Sequence, residues 1–221
     1  MATWVAHFRL AEALLEHGFD LDRQMFVMGN IAPDSGVLNA EKNGYVPSKV
    51  ISHWRDGNDI NPEQFYADEL AGKTFDTAET AFRLGYYCHL LADVVWIETV
   101  WRPKKATKFY AELLAKDPQF IWEIKKDWYG LDFIYLQEHP QSIFFTDFVH
   151  IQNVPDYLPQ FPAGAFNKRL NETRDFYLAD PDWDLNRPYI YLSREEYDAF
   201  ISTAFEAIKN ALHAKGVNVR S

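Results

Sequence analysis

The chain has 221 residues, 48% of them hydrophobic and 24% charged, a composition typical of a folded globular protein and not of a disordered one. Its formal net charge of −10 argues against binding of long nucleic acid through a broad basic face and against electrostatic docking on an anionic membrane. The single cysteine, Cys88, excludes a disulfide within the chain, and no apolar run reaches membrane-spanning length. We expect one soluble, cytoplasmic domain over residues 1–221, without a signal peptide.

Apolar residues recur at helical spacing through most of the chain. In chain order, the predicted helical segments are residues 4–18, 24–31, 62–71, 76–101, 107–115, 119–136, 161–177 and 194–214. Residues 39–61 are expected to be irregular, and Pro103 is expected to end the long central helix. Ser193 and Glu196 have the spacing of a capping box, and residues 188–193 are the best, although weak, strand candidate. The prediction is an all-α, single-domain helical bundle with long loops.

The central predicted helix carries two polar residues in its most apolar stretch, YYCHLLADVVW. His89 and Asp93 are four residues apart and therefore share one face of a helix, and Gly85 leaves room one turn earlier. A buried carboxylate is costly unless it is paired or binds a metal. On these two residues alone, a hydrogen-bonded buried pair and a pair of metal ligands are both open. Cys88 points about 100° away from that face and is expected to pack.

Three further residues add to this pair. His7 lies in the apolar stripe of the first predicted helix, Asp34 follows an apolar segment in GNIAPD, and His53 has apolar neighbours in ISHWRDG. Each has an ordinary alternative: a core histidine, a turn residue and a partly buried loop histidine. Together with His89 and Asp93, they form a set of three imidazoles and two carboxylates, which zinc and similar metals prefer. The set suggests a metal site where these segments converge.

In their order and context, four segments resemble the zinc-dependent phospholipase C family, which shares its fold with the single-strand-specific zinc nucleases. The segments are TWVAHFRLAEALL, FVMGNIAPDSG, VISHWRDG and LGYYCHLLADVVW, over roughly residues 3–96. The resemblance implies an all-α bundle whose active site holds up to three zinc ions. It implies a first metal site formed by Asp34, His53, His89 and Asp93. Asp34 would also bridge towards a second metal, and Asp93 would be shared with a further metal held by His7.

The chain departs from the family pattern at three places. Trp4 is internal, whereas secreted family members bind metal with the amino group of a mature N-terminal Trp. Thr99 stands where the family has a histidine, and its neighbour Glu98 can replace it only if the helix ends or bends there. The downstream His-x-x-x-Glu or His-x-x-x-Asp pair is missing; Asp127 and Asp132 are substitutes, with a solvated helix face as the alternative. One zinc site is expected, a second and third depend on these replacements, and other divalent metals stay open.

A metal in this set would lower the pKa of bound water and supply hydroxide as nucleophile, and Asp34 could take the water proton. The prediction is a metal-dependent, phospholipase C-like phosphodiester hydrolase acting on a small phosphodiester or a phospholipid head group. The alternatives are a nuclease or nucleotidase acting on small nucleotides, and a degenerate, non-catalytic metal-binding domain. Stacking on a base or enclosure of a quaternary ammonium is a further hypothesis, with core packing as its alternative, for Trp54, Tyr86, Tyr87 and Trp96.

Overall fold

The structure, a computed structural model, describes residues 1–217 and confirms the all-α class. Its helices are α1 (Trp4–Glu16), α2 (Arg23–Gly29), α3 (Lys49–Ser52), α4 (Pro62–Glu69), α5 (Ala78–Trp96), α6 (Arg102–Ala106), α7 (Lys108–Lys116), α8 (Ile121–Glu138), α9 (Ile143–Thr146), α10 (Ala165–Leu178) and α11 (Arg194–Ala214). Short 3-10 turns span Ala32–Asp34, Pro118–Phe120 and Phe148–His150. No helix within residues 1–217 combines the length and the apolar character needed to cross a membrane.

Two very small hairpins lie in the segment that was predicted to be irregular. Strand β1 (Val37–Leu38) pairs antiparallel with β2 (Tyr45–Val46), and β3 (Arg55–Asp56) pairs antiparallel with β4 (Asp59–Ile60). The strand candidate at residues 188–193 is wrong. That segment has no strand, because the backbone N–H groups of Tyr191 and Leu192 donate to a side-chain carboxylate of α8.

The boundaries of the predicted helices agree within two residues with the observed ones, except that α10 begins at Ala165 instead of Phe161 and that the end of α5 differs; the short helices α3, α6 and α9 were not predicted. The backbone does not stop at Pro103 but continues through a π-helical turn, Ile97–Trp101, into α6. Pro103 lies in the first turn of α6, where the missing N–H of proline costs little. The capping box at the start of α11 is confirmed, since Ser193 and Glu196 each bond to the backbone N–H of the other.

Helices α2 and α5 cross at a pair of glycines. A methyl group on Gly85 would lie 2.2 Å from the Phe26 carbonyl oxygen, and one on Gly29 would lie 2.1 Å from the Phe82 carbonyl oxygen. Neither position can take a side chain without a shift of the backbone. The crossing therefore presses the loop after α2 against the next turn of α5, where His89 lies. The room that the sequence indicated beside Gly85 is filled by the backbone of α2.

The aromatic residues near the predicted ligands pack in the core. Tyr86, Tyr87 and Trp96 are fully buried, and Trp54 packs edge-on against Tyr86. This confirms core packing for Tyr86, Tyr87 and Trp96, whereas Trp54 is half-buried and lines a separate surface pocket. Cys88 is also fully buried. The buried apolar residues form one cluster, whereas the single domain over residues 1–221 stays a prediction that extends beyond the described residues.

Candidate metal centre

The structure brings the five residues predicted as metal ligands together, from four separate segments. They are His7 of α1, Asp34 of the turn after α2, His53 directly after α3, and His89 and Asp93 of α5. The three imidazoles and Asp93 are fully buried, whereas the Asp34 side chain is 11% exposed. Two overlapping groups have donor atoms within 4.8 Å of one another: His7, His89 and Asp93, and Asp34, His53 and His89.

Asp93 lies between the imidazoles, with one oxygen towards each side. Its Oδ2 is 3.4 Å from His89 Nε2 and 3.7 Å from His53 Nε2. Its Oδ1 is 3.7 Å from His7 Nε2. The rings of His7 and His89 stack with their centroids 3.9 Å apart. An imidazole nitrogen has one lone pair, so His89 Nε2 can bind a metal in only one of the two groups at a time.

Several atoms that face this cluster have no hydrogen-bond partner among the described residues. They are Nδ1 and Nε2 of His7, Nε2 of His53, Nε2 of His89 and Oδ2 of Asp93. Buried polar atoms are nearly always hydrogen-bonded, and an unpaired one costs about 1–3 kcal/mol. Imidazole nitrogens and carboxylate oxygens are also the donors that zinc prefers. The residues present therefore fit a bound zinc ion better than they fit a network closed by protein atoms.

The imidazoles of His89 and His53 are each oriented by a hydrogen bond at Nδ1, the ring nitrogen that does not face the cluster. His89 Nδ1 lies 2.8 Å from the carbonyl oxygen of Asn30, so the N–H belongs on Nδ1 and Nε2 is left with its lone pair. His53 Nδ1 lies 2.9 Å from the Ser52 hydroxyl. A carbonyl partner fixes the tautomer of His89, whereas the Ser52 hydroxyl, which can donate or accept, orients the His53 ring without fixing its tautomer. The Asn30 contact follows from the glycine crossing, because that crossing sets the distance between the two helices.

Ala2, before α1, contacts Asp93, whereas Trp4 and Lys49, the first residues of α1 and α3, contact Asp34. The Ala2 backbone N–H donates to Asp93 Oδ1 at 2.8 Å, and the Trp4 indole N–H donates to Asp34 Oδ2 at 3.1 Å. Lys49 Nζ lies 3.4 Å from Asp34 Oδ1. Sequence reasoning missed these contacts: a backbone N–H leaves no residue signature, and Trp4 was considered only as a departure from the family pattern.

The surroundings shift the pKa values of the three imidazoles in different directions. Burial lowers the pKa of His7 strongly and lowers the pKa of His53 to about 3, so both are in the neutral form that binds metals. Burial also opposes the charged form of His89, but the charges of Asp93 and Asp34 outweigh it and raise the pKa of His89. The same carboxylate charges that favour a proton on His89 also favour a dication at Nε2, so the two compete for this nitrogen.

Both carboxylates stay ionised. Burial alone would raise the pKa of Asp34, but the charges of Lys49 and His89 hold it well below its usual range. Burial likewise opposes ionisation of Asp93, and nearby positive charges, that of His89 among them, hold its pKa low. An ionised carboxylate is ready to bind a cation, and one with so low a pKa is a weak proton acceptor.

Two of the three residues predicted for a second metal site lie apart from the cluster of five predicted ligands. Glu98 is exposed on the π-helical turn. Asp127 is fully buried, and its carboxylate pairs with Arg187 and accepts the backbone N–H of Tyr191 at 2.6 Å. Neither belongs to the two groups with metal-binding spacing. The solvated helix face considered for Asp127 is wrong, because a loop covers this part of α8.

Asp132, the third of these residues, is also fully buried, so the solvated face is wrong for it as well. Its Oδ1 accepts hydrogen bonds from the hydroxyls of Thr3 and Tyr197, both at 2.7 Å, and its Oδ2 accepts one from Tyr177 at 2.5 Å. Burial raises the pKa of Asp132 to about 7, against the effect of these hydroxyls. Its oxygens are therefore satisfied by hydroxyl donors, and it too lies outside both groups with metal-binding spacing.

A cavity of about 440 Å³ opens beside the cluster, and Asp34 is the member of the five that lines it. The family model described as zinc dependent phospholipase C matches residues 6–114. This stretch is similar to the zinc-dependent phospholipase C family. The matched stretch contains all five predicted ligands, and it ends before Asp127 and Asp132. No curated protein and no solved structure matches the chain.

This match confirms the resemblance inferred from the four motifs, together with the all-α fold and zinc as cofactor. It also supports a metal-dependent, phosphodiesterase-like function. Two cationic residues of the cavity, Lys125 of α8 and Arg169 of α10, lie outside the match. Sequence reasoning missed both, since only tertiary packing brings these helices to the site.

Proposed function

We propose that the protein is a zinc-dependent phosphodiester hydrolase of the phospholipase C type. Its proposed metal ligands are His7, Asp34, His53, His89 and Asp93. The observation that carries the proposal is the set of unpaired, buried donor atoms in this cluster, which meets a cavity through Asp34. Zinc bound there supplies a Lewis acid that activates water at neutral pH and neutralises charge on a phosphoryl oxygen.

The chain's own residues prepare the other side of the reaction. Asp34 joins the buried cluster to the cavity, and Trp4 fixes one of its oxygens by donating to Oδ2. Lys49 and Lys125 also line the cavity, where their positive charges attract an anionic substrate. We assign Asp34 first to metal binding; its transfer of the water proton stays a prediction.

The mouth of the cavity favours a phospholipid as substrate. Tyr45 and Trp122 line the cavity and are 51% and 56% exposed, and the neighbouring Val46 is 45% exposed. Exposed apolar side chains grouped beside a binding pocket are typical of a site that contacts an apolar partner. They offer a contact surface to the glyceride part of a phospholipid, which a small nucleotide lacks.

Turnover of bis(p-nitrophenyl) phosphate and of short-chain phospholipids by the zinc-loaded protein tests the proposal. Asp34→Asn and His89→Ala are expected to lower turnover to the uncatalysed background. His139→Ala is the matched control, because His139 is exposed and bonds to the Tyr135 carbonyl away from the cluster. Bound zinc without turnover of any phosphodiester would favour the non-catalytic alternative. Equal turnover in all variants would contradict the assignment of the site.

A further inference from the structure

The cavity beside the cluster is cationic, although the chain as a whole carries a net charge of −10. Lys49, Lys125 and Arg169 line it, and Asp34 is the sole carboxylate among its described lining residues. Asp34 is also a proposed metal ligand. Once its charge is committed to a cation, the lining has no negative charge of its own left to offset the three positive ones.

Lys125 has the least compensated charge of the three. Arg169 pairs with Glu172 at 3.0 Å, and Lys49 contacts Asp34 at 3.4 Å. Lys125 makes no ion pair with a carboxylate within residues 1–217, and its ammonium lies over the ring of Trp122. Burial lowers the pKa of Lys125, and the nearby charge of Lys49 adds to this effect against the smaller opposing effect of Asp34.

Two of the aromatic rings that line the cavity, those of Trp4 and Trp122, are in contact with cations of the chain, and Tyr45 is the exposed ring without one. The Arg169 guanidinium lies 4.9 Å from the ring centroid of Trp4, and the Lys125 ammonium lies 4.8 Å from that of Trp122. An aromatic ring in contact with one cation offers a second cation little attraction, and the like charges repel each other. A choline head group would therefore meet three cations and few open rings.

We propose that this cavity selects phosphodiesters whose polar head group carries a further anionic group, and that Lys125 and Lys49 bind that group. The inference rests on the proposed function for the position of the scissile phosphodiester. Arg169 holds its place through a bond from Nε to the Asp34 carbonyl at 2.9 Å and serves mainly to shape the wall.

Calorimetric titration with three reaction-product analogues tests head-group selection without relying on turnover. The probes are inositol 1,4-bisphosphate, inositol 1-phosphate and phosphocholine, titrated into the protein with and without zinc. The bisphosphate is expected to bind most tightly and phosphocholine most weakly. Lys125→Gln is expected to weaken bisphosphate binding about tenfold, the usual effect of losing one charge-assisted hydrogen bond, and to leave phosphocholine binding unchanged.

The neighbouring Lys126 provides the matched control. It lies on the same helix, pairs with Glu123 at 2.7 Å and does not line the cavity, so Lys126→Gln is expected to leave all three affinities unchanged. Phosphocholine binding as tight as that of the bisphosphate, or equal losses in Lys125→Gln and Lys126→Gln, would overturn the proposal. Lys49→Gln is a secondary variant, since it also removes a contact of Asp34.

Turnover of matched substrates separates a lipid from a soluble source of the same head group. Dihexanoyl phosphatidylinositol 4-phosphate, glycerophosphoinositol 4-phosphate and dihexanoyl phosphatidylcholine are compared. Selection predicts that the two phosphorylated inositides exceed the choline lipid in kcat/KM, and that Lys125→Gln removes the advantage. If the bisphosphate binds most tightly in the titration but no phosphodiester is turned over, the anion subsite is supported and the proposed function is refuted. Fast, unselective turnover that does not respond to Lys125→Gln would support the proposed function and refute the anion subsite.

Discussion

Asp93 and Asp132 are both fully buried carboxylates on long helices, and their surroundings differ in the donors that face them. Asp93 faces three imidazoles, and its Oδ2 has no hydrogen-bond partner among the described residues. Asp132 faces three hydroxyls, which donate to both of its oxygens. The pKa of Asp93 is lowered, whereas burial raises that of Asp132 to about 7.

The difference shows that burial of a carboxylate does not by itself indicate a metal ligand. Hydroxyl groups can complete the hydrogen bonding of a buried carboxyl group in either protonation state, so the site around Asp132 is closed without an ion. Neutral imidazoles that lack partners cannot do so, and the site around Asp93 needs a cation to satisfy its free lone pairs. Substitutions at the two sites can break or sharpen this comparison.

The largest effect is expected from isosteric removal of each charge. Four protein ligands share a structural zinc-binding free energy of about 10–16 kcal/mol, so Asp93→Asn is expected to weaken zinc binding by about 3 kcal/mol or more. Asp132→Asn is expected to leave it unchanged, because Asp132 lies outside the cluster. Competition with a chromophoric chelator measures both affinities, and circular dichroism shows whether each variant folds. Equal losses at the two positions would remove the distinction between the sites.

An effect of intermediate size is expected in the pH dependence of stability. The Asp132 carboxyl has a pKa of about 7 when folded and an ordinary value of 3.8, so between these values the folded state binds more protons than the unfolded state. Its contribution to the free energy of unfolding therefore falls as the pH rises, by about 2–3 kcal/mol between pH 4.5 and 7.

Urea unfolding of metal-free wild type and Asp132→Asn at both pH values isolates this contribution, since the histidines titrate in both proteins. The variant is expected to lose the part of the pH dependence that belongs to Asp132. The same slope in both proteins would mean that Asp132 titrates near its ordinary pKa, and that the contrast with Asp93 is smaller than the structure indicates.

The smallest effect is expected from the hydroxyls that support each site. Ser52→Ala removes the partner of His53 Nδ1 and is expected to weaken zinc binding about tenfold, as is usual for the loss of a hydrogen bond to a ligating histidine. Thr3→Val removes a donor to Asp132 and is expected to leave zinc affinity unchanged while lowering stability. The chelator assay and urea unfolding measure the two effects, and a reversal of the pattern would contradict the division into two sites.

Sequence reasoning reached the five-residue cluster because its signals are local. His89 and Asp93 have helical spacing, and His7, Asp34 and His53 lie in apolar contexts where a polar residue needs a reason. It did not foresee the surroundings of Asp132. The hydroxyls that donate to this carboxylate lie 129, 45 and 65 residues away along the chain, and no local sequence pattern predicts them.

The same limit applies to the fold and to the cavity. Helical periodicity and capping residues predicted most helices, whereas the π-helical turn after α5 and the loop that covers Asp127 depend on packing against distant residues. Lys125 and Arg169 look like ordinary polar residues in the sequence, and they acquire a role only where α8 and α10 meet the cluster.

Diffraction from crystals of the zinc-reconstituted protein, recorded on both sides of the zinc absorption edge, tests the central claim most directly. If zinc binds in the cluster, an anomalous peak is expected among His53 Nε2, His89 Nε2, Asp34 and Asp93 Oδ2, and no peak is expected at Asp132. A further peak at His7 would indicate a second ion that shares Asp93. Absence of zinc from the cluster after reconstitution, or zinc bound only elsewhere, would contradict the assignment of this cluster as a zinc site.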